Sequence, residues 1–143
     1  MPKKRILIIV GTRPEAIKLV SVVKRLRDHG SFDVVFAGSG QHVEMVRDVC
    51  DFFGVSPEMS FTQLQPANIT ELYTQCLTHA QMLIDQYRPD LVMVHGDTAT
   101  CLAGATSGFL NSIPVAHVES GLRTESVAQP FPEEFNRRAT ALI

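Results

Sequence analysis

Two charged blocks near the end of the chain contain the residue types that acid–base chemistry requires. The block His117–Thr124 places Glu119 directly after an apolar, strand-like run, and the block Pro130–Arg138 combines the acid Glu133 with the base Arg137. Carboxylates can move protons, and guanidinium groups can hold anions. Because Gly and Pro frame these acids and bases, the two blocks favour an active site over an ordinary charged loop.

A further acid, Asp97, follows another apolar run in the segment His95–Thr98. The carboxyl ends of parallel strands meet at one edge of an open α/β sheet, so we expect Asp97 and Glu119 at the same edge. Together they form a candidate acid/base pair. Taken alone, Asp97 is explained equally well as the N-cap of the helix that follows it.

The helical spacing within Pro130–Arg138 also has a purely structural explanation. Glu133 with Arg137, and Glu134 with Arg138, are four residues apart, which is the spacing of ion pairs on a solvated helix face. The presence of all these blocks in this order is a more specific signal than any single block. Their combination favours an active site over a purely structural role.

Two other segments follow predicted strands and could meet a ligand. In Gly11–Lys18, the backbone N–H groups at a helix start attract anions, and Arg13 and Lys18 add positive charge. An ordinary capped helix explains these residues equally well. Gln41 and His42 follow the second predicted strand and could bind a ligand edge, but a turn whose side chains cap the next helix explains them better.

Hydrophobic periodicity indicates the elements that must position these residues. Apolar runs of strand length alternate with segments of helical period, which predicts an α/β fold with a Rossmann-like, doubly wound parallel sheet. A Thr-x-x-Glu capping box marks the first helix start. The predicted strands cover 6–10, 33–37, 91–94 and 114–118, and the predicted helices begin at Thr12, about Gln41, Asn68 and Thr98. A last helix follows Pro130, and we expect the chain to stop inside it.

Composition limits the classes of protein to which the chain can belong. Its 143 residues suffice for one domain, and 45% hydrophobic with 20% charged residues is typical of a globular protein. The net charge of −2 disfavours a nucleic-acid partner held by bulk electrostatics. No apolar run approaches the roughly 18 residues of a membrane span, and the first apolar run is too short for a signal peptide. We therefore expect a cytoplasmic protein without a membrane partner.

Several common types of active site are also disfavoured. The five histidines form no His-x-x-x-His pair on a predicted helix, so we expect no metal site. The sequence lacks Gly-x-Gly-x-x-Gly, a P-loop and Gly-x-Ser-x-Gly, which argues against a dinucleotide site of the usual kind and a serine hydrolase. Three cysteines without a Cys-x-x-Cys pair predict reduced, mostly buried thiols.

The assembled pattern resembles the bacterial, non-hydrolysing UDP-N-acetylglucosamine 2-epimerases. The resemblance rests on five segments of this sequence, which are Gly11–Lys18, Gly40–His42, His95–Thr98, His117–Thr124 and Pro130–Arg138. It implies a glycosyltransferase-B-like architecture, in which two Rossmann-like domains face each other across a cleft. Residues 1–143 would form a single, incomplete amino-terminal domain, without the carboxy-terminal UDP-binding domain.

The resemblance also implies a reaction and the residues that perform it. Family members interconvert UDP-N-acetylglucosamine and UDP-N-acetylmannosamine by eliminating UDP to give 2-acetamidoglucal and then adding it back, without a cofactor. The implied catalytic residues are Asp97, Glu119 and Glu133, and the implied substrate-binding residues are Arg13, Lys18 and Arg137. Gln41 and His42 match a regulatory UDP-sugar contact of some members. Glu44 stands where a Gln is common there, so we expect weak or absent activation.

Three alternatives remain open from the sequence. The substrate could be a related UDP-sugar, such as a UDP-2,3-diacetamido sugar acid, or the enzyme could be a hydrolysing 2-epimerase that releases N-acetylmannosamine. The chain could also be a truncated binding or oligomerisation module without chemistry. The resemblance further implies a role in polysaccharide biosynthesis and a homodimer at full length. Because one wall of the cleft is missing, we expect this chain alone to be inactive or nearly so.

Overall fold

The computed structural model describes residues 1–58 and 61–143, and it confirms an α/β fold around a four-stranded parallel sheet. The sheet has the order β2-β1-β3-β4. In chain order the elements are β1 (Lys4–Val10), α1 (Arg13–His29), β2 (Phe32–Gly38), α2 (Val43–Phe53), α3 (Ile69–Tyr87), β3 (Leu91–His95), α4 (Ala99–Leu110), β4 (Val115–Val118) and α5 (Glu133–Thr140).

Helices cover both faces of the sheet, as a doubly wound fold requires. Because side chains alternate along a strand, Ile8 of β1 packs with the buried residues of α1 and α2, whereas Leu7 and Ile9 pack with those of α3 and α4. All three side chains are almost fully buried. Full burial of each such side chain stabilises the fold by about 1.5–3 kcal/mol. The apolar runs without alternation therefore did indicate strands buried on both faces.

The helix boundaries confirm most of the sequence signals and correct two of them. The Asn68 side chain caps α3 by accepting a hydrogen bond from the backbone N–H of Glu71 at 2.9 Å. The second helix begins at Val43 rather than near Gln41. The last helix ends at Thr140 and is followed by a turn, so the expectation that the chain stops inside a helix was wrong.

The burial of the cysteine side chains agrees with the sequence analysis. The three cysteines are buried, and none of them forms a disulfide within the residues that the structure describes. Burial raises the pKa of the Cys101 thiol to about 12, so this thiol stays protonated and inert.

In the same described part of the chain, we find no helix with the length and apolar character to cross a membrane.

The strand order places a topological switch point between β1 and β3. The chain continues from β1 to β2 on one side of the sheet and to β3 on the other, so a crevice opens where the two carboxyl ends diverge. Gly11 lies at this point because nothing larger fits. A Cβ atom on Gly11 would lie 2.0 Å from Oγ1 of Thr100 and 2.8 Å from Oγ of Ser39.

Candidate active site

The carboxyl ends of β3 and β4 bring two of the predicted acids to one edge of the sheet. His95 pairs with Val118 in the register of the two strands, and Asp97 and Glu119 follow directly after these ends. The prediction that both carboxylates lie at the same edge is therefore confirmed. This edge is the one at which open α/β sheets bind ligands.

Glu119 is held by two basic side chains in a conformation that glutamate seldom adopts. Its backbone φ is 56°, in the left-handed region, at a cost of about 1–3 kcal/mol that the surrounding structure must offset. Lys18 Nζ donates hydrogen bonds of 2.8 and 2.6 Å to the two carboxylate oxygens, and His95 Nε2 lies 3.2 Å from Oε2. The hydrogen bond from Lys18 holds the pKa of Glu119 below its usual value, so this carboxylate stays ionised.

Asp97 does not cap the helix that follows it, contrary to the structural explanation considered above. Thr98 is the N-cap of α4, and its Oγ1 accepts a hydrogen bond of 3.0 Å from the backbone N–H of Cys101. Arg137 of α5 donates from Nη2 to the Asp97 carboxylate, and Asn136 Nδ2 donates to the Asp97 carbonyl oxygen at 2.9 Å. Asp97 is therefore free of the capping role and is oriented by α5.

Arg137 is a buried fork between two carboxylates rather than a member of a solvated helix face. It is 5% exposed, and Nη1 donates to Glu134 while Nη2 donates to Asp97. Glu134 is fully buried and also accepts a hydrogen bond of 2.7 Å from Arg138, which holds the pKa of Glu134 below its usual value. The expected ion pair of Glu134 with Arg138 is confirmed. Arg137 forms its ion pairs with Asp97 and Glu134, and not with Glu133 as its helical spacing suggested.

Glu133 begins α5 and is half-buried. Within residues 1–58 and 61–143, its carboxylate forms neither a hydrogen bond nor an ion pair. It therefore differs from Asp97 and Glu119, each of which has a cationic partner. Such a carboxylate can accept a hydrogen bond from a ligand without first giving up a contact to another described residue.

Glu15 links two loops beneath the site, a role that the sequence indicated only in part. It is 1% exposed, and its Oε2 accepts hydrogen bonds from the backbone N–H groups of Gly11 at 2.9 Å and Thr12 at 2.6 Å, as a capping-box Glu does. Its Oε1 accepts a hydrogen bond of 2.7 Å from Thr98 Oγ1, across the switch point. Burial raises the pKa of Glu15, and these hydrogen bonds oppose that effect.

In the described part of the chain, the other residues predicted to bind ligands form no hydrogen bond or ion pair with the three acids. Arg13 lines a groove between α1 and α2, together with Ile17 and Phe52. Gln41 turns inward, where its Oε1 accepts a hydrogen bond of 2.8 Å from Thr100 Oγ1. His42 is the exposed N-cap residue of α2, but its side chain forms no capping hydrogen bond with the described residues, so the capping explanation for this pair was wrong.

The described residues contain no group of three or more His, Cys, Asp and Glu side chains that could hold a metal ion. The arrangement consists instead of two carboxylates, Asp97 and Glu119, that are each paired with a cation, and of Glu133, which has no such partner among the described residues. Such an arrangement is suited to proton transfer beside a phosphate-bearing substrate.

Two members of the site were not identified from the sequence. His95 was noted only as part of a motif, yet its ring is almost fully buried and contacts Glu119. Glu134 was assigned to a surface pair, yet it is fully buried beneath Arg137. The available signal was position, because His95 ends a buried strand and its side chain must lie beside the neighbouring strand end.

Comparison with known families agrees with this geometry. Residues 24–143 match the family model described as UDP-N-acetylglucosamine 2-epimerase. The chain is 37% identical to the UDP-N-acetylglucosamine 2-epimerase of Bacillus subtilis over 144 residues, and 39% identical to that of Escherichia coli K12 over 137 residues. These matches cover 100% and 95% of this chain but only 38% and 36% of the two relatives, so the chain spans less than two fifths of their length.

Solved structures show the same likeness. A crystal structure of a UDP-N-acetylglucosamine 2-epimerase superposes with a TM-score of 0.93 at 37% identity, covering 100% of this chain and 39% of that one. The enzyme from Neisseria meningitidis bound to UDP-GlcNAc superposes with a TM-score of 0.90 at 35% identity, covering 96% of this chain and 38% of that one. The Rossmann-like fold class predicted from the sequence is thus confirmed.

Proposed function

Because this chain belongs to the UDP-N-acetylglucosamine 2-epimerase family, we propose that it forms one wall of an active site that interconverts UDP-N-acetylglucosamine and UDP-N-acetylmannosamine. The observation that carries the proposal is the pair of strand ends at which Asp97 and Glu119 each meet a cation. Asp97, Glu119 and Glu133 are the proposed catalytic residues.

The chemistry of the sugar explains why carboxylates and cations are needed together. Carbon 2 of the hexose has no adjacent carbonyl group, so direct removal of its proton is very unfavourable. Elimination of UDP across C1–C2 avoids this difficulty, because the C1–O bond breaks as the C2–H bond breaks and 2-acetamidoglucal forms. UDP then adds back to C1 while C2 receives a proton on the opposite face. Carboxylates serve the proton transfers, and cations stabilise the departing diphosphate.

Lys18 is the proposed cation for the diphosphate. Its side chain is 48% exposed, and its contact with Glu119 lies at the surface, where such ion pairs are weak. A doubly charged diphosphate can therefore compete for the ammonium group. Arg137 is less available, because both of its terminal nitrogens are bound by carboxylates, and we propose that it orients Asp97. The substrate contact implied for Arg13 remains a prediction.

We further propose that the chain alone has little or no activity. Its matched relatives are more than twice as long, and this chain presents its acids on an open sheet edge. Without a facing wall, the entropic advantage of holding a UDP-sugar between two surfaces is lost. The homodimer, the cytoplasmic location and the regulatory contact at Gln41 and His42 also remain predictions.

Product analysis of a hybrid enzyme tests the proposed reaction. Residues 1–143 would replace the matching segment of the Bacillus subtilis relative, and the hybrid would be incubated with UDP-N-acetylglucosamine. We expect UDP-N-acetylmannosamine at equilibrium with substrate, and no activity in the matched Asp97→Asn hybrid. Free UDP together with free N-acetylmannosamine would instead show a hydrolysing enzyme. A folded hybrid that binds UDP but leaves the substrate unchanged would contradict the proposal.

A further inference from the structure

His95 contacts the carboxylate of Glu119 from inside the protein. It is the last residue of β3 and is 4% exposed, with Nε2 at 3.2 Å from Glu119 Oε2. The same oxygen accepts the hydrogen bond of 2.6 Å from Lys18, whose side chain is 48% exposed. Glu119 therefore has one partner at the surface and one fixed in the core.

The environment of His95 determines which form of the ring makes this contact. Burial lowers the pKa of His95, and the negative charge of Glu119 opposes that effect only in part. Lys18 further disfavours the charged ring, and Asp97 favours it. A neutral imidazole has one N–H group, and an ionised carboxylate can only accept hydrogen bonds. The contact therefore requires a proton on Nε2, and in the neutral ring, which burial favours, this is the only ring proton.

Binding of an anion should affect the two contacts of Glu119 differently. Lys18 is the proposed ligand of the diphosphate, and an ammonium group that turns toward a phosphate weakens its hold on Glu119. Glu119 lies on strained, left-handed backbone at the end of β4, and its side chain is 38% exposed. A carboxylate in that position would sample several rotamers unless a second contact remained. His95 provides that contact.

We propose that His95 is a positioning residue that keeps the Glu119 carboxylate aimed at the substrate while Lys18 is engaged by the diphosphate. The inference rests on the proposed function, since the departure of Lys18 requires a phosphate ligand. His95 performs no proton transfer in this scheme. It acts through Glu119, and burial of its ring at the end of β3 restricts the positions that the ring can adopt.

Nuclear magnetic resonance of the 143-residue chain tests the inference, with labelled histidine rings and glutamate carboxyl groups. In the unmodified chain we expect the proton of neutral His95 on Nε2, and a proton on Nδ1 would overturn the inference without any variant. UDP serves as the probe ligand and is added to the hybrid enzyme, in which the second wall of the cleft is present. It should raise the pKa of Glu119 slightly in the unmodified hybrid and considerably further in its His95→Phe variant, where neither partner remains.

Two further variants separate positioning from general structural support. His95→Gln keeps a donor near the position of Nε2 and should restore the behaviour of the unmodified chain. His29→Phe alters a histidine at the end of α1 and should leave the pKa of Glu119 unchanged. If His95→Phe lowers only the thermal stability and leaves the pKa of Glu119 and its response to UDP unchanged, His95 is merely structural and the inference is wrong.

The outcome for the proposed function is read separately. If UDP does not bind the hybrid enzyme, the proposed function fails, and the part of the inference that concerns Lys18 fails with it. If UDP binds and the tautomer of His95 is wrong, only the inference fails. In the hybrid enzyme, His95→Phe should lower kcat roughly a hundredfold with little change in KM, because a misplaced catalytic group affects the reaction rather than binding.

Discussion

Replacing Arg137 by methionine should remove the contact that fixes Asp97 at the sheet edge. Arg137 is 5% exposed, whereas the Asp97 side chain is 29% exposed. Breaking a buried ion pair by removing one partner costs about 3–5 kcal/mol, and the partial exposure of Asp97 places the expected loss at the lower end, about 3 kcal/mol. With a urea dependence of about 2 kcal/mol per molar, the midpoint of unfolding should fall by about 1.5 M.

Urea unfolding of four variants measures this loss and separates it from a general effect of lost charge. They are Arg137→Met, Arg138→Met, Asp97→Asn and the double variant Arg137→Met with Asp97→Asn. Arg138→Met removes the other guanidinium that binds Glu134, but its side chain is 41% exposed, so we expect a much smaller fall in the midpoint. Combining Arg137→Met with Asp97→Asn should be clearly less than additive, because the two residues are in contact. If the unfolding midpoints of Arg137→Met and Arg138→Met were equal, this would refute the claim that Arg137 is buried between the carboxylates of Asp97 and Glu134.

Two other variants test the surroundings of the site. Gly11→Ala should lower the free energy of unfolding, measured with urea, by about 3 kcal/mol, because the added Cβ would lie 2.0 Å from Thr100 Oγ1. Gly121→Ala is the control and should be nearly neutral, because its Cβ would have no atom within 4 Å. Equal effects would contradict the close packing. In the hybrid enzyme, Lys18→Met should weaken UDP binding about tenfold by titration calorimetry, whereas Lys24→Met, on the same helix, should not. The pKa of Glu119 in the folded chain is lowered by Lys18, so the ion pair of these two residues contributes less stability as the pH falls below 4.5. Urea unfolding of Lys18→Met should therefore show a weaker loss of stability in acid than the unmodified chain.

The fold could be predicted from the sequence because its signals are local. The buried part of β1, residues 6–10, is apolar without alternation, and Asn68 caps its helix through a backbone group three residues away. The carboxyl ends of the strands then determined the edge at which Asp97 and Glu119 meet. These inferences need only periodicity, capping and topology.

The partners within the site could not be predicted because they are set by tertiary contacts. Arg137 has Glu133 at the right helical spacing, yet it binds Asp97, which is 40 residues away in sequence. Similarly, Glu15 and Thr98 are 83 residues apart. A spacing rule weighs only neighbours on one helix, whereas a buried guanidinium takes the carboxylates that packing brings to it. The left-handed backbone of Glu119 also has no local signal, since Glu is not a residue that favours it.

The most direct measurement is the incorporation of deuterium at carbon 2 of the sugar by the hybrid enzyme in D₂O, followed by NMR. If the sheet edge performs the reaction, UDP-N-acetylglucosamine and its epimer should both acquire deuterium, and Asp97→Asn, Glu119→Gln and Glu133→Gln should each slow the exchange by at least about a hundredfold. The 143-residue chain alone should exchange little or none. Undiminished exchange in all three variants would show that the reaction takes place elsewhere and would contradict the account.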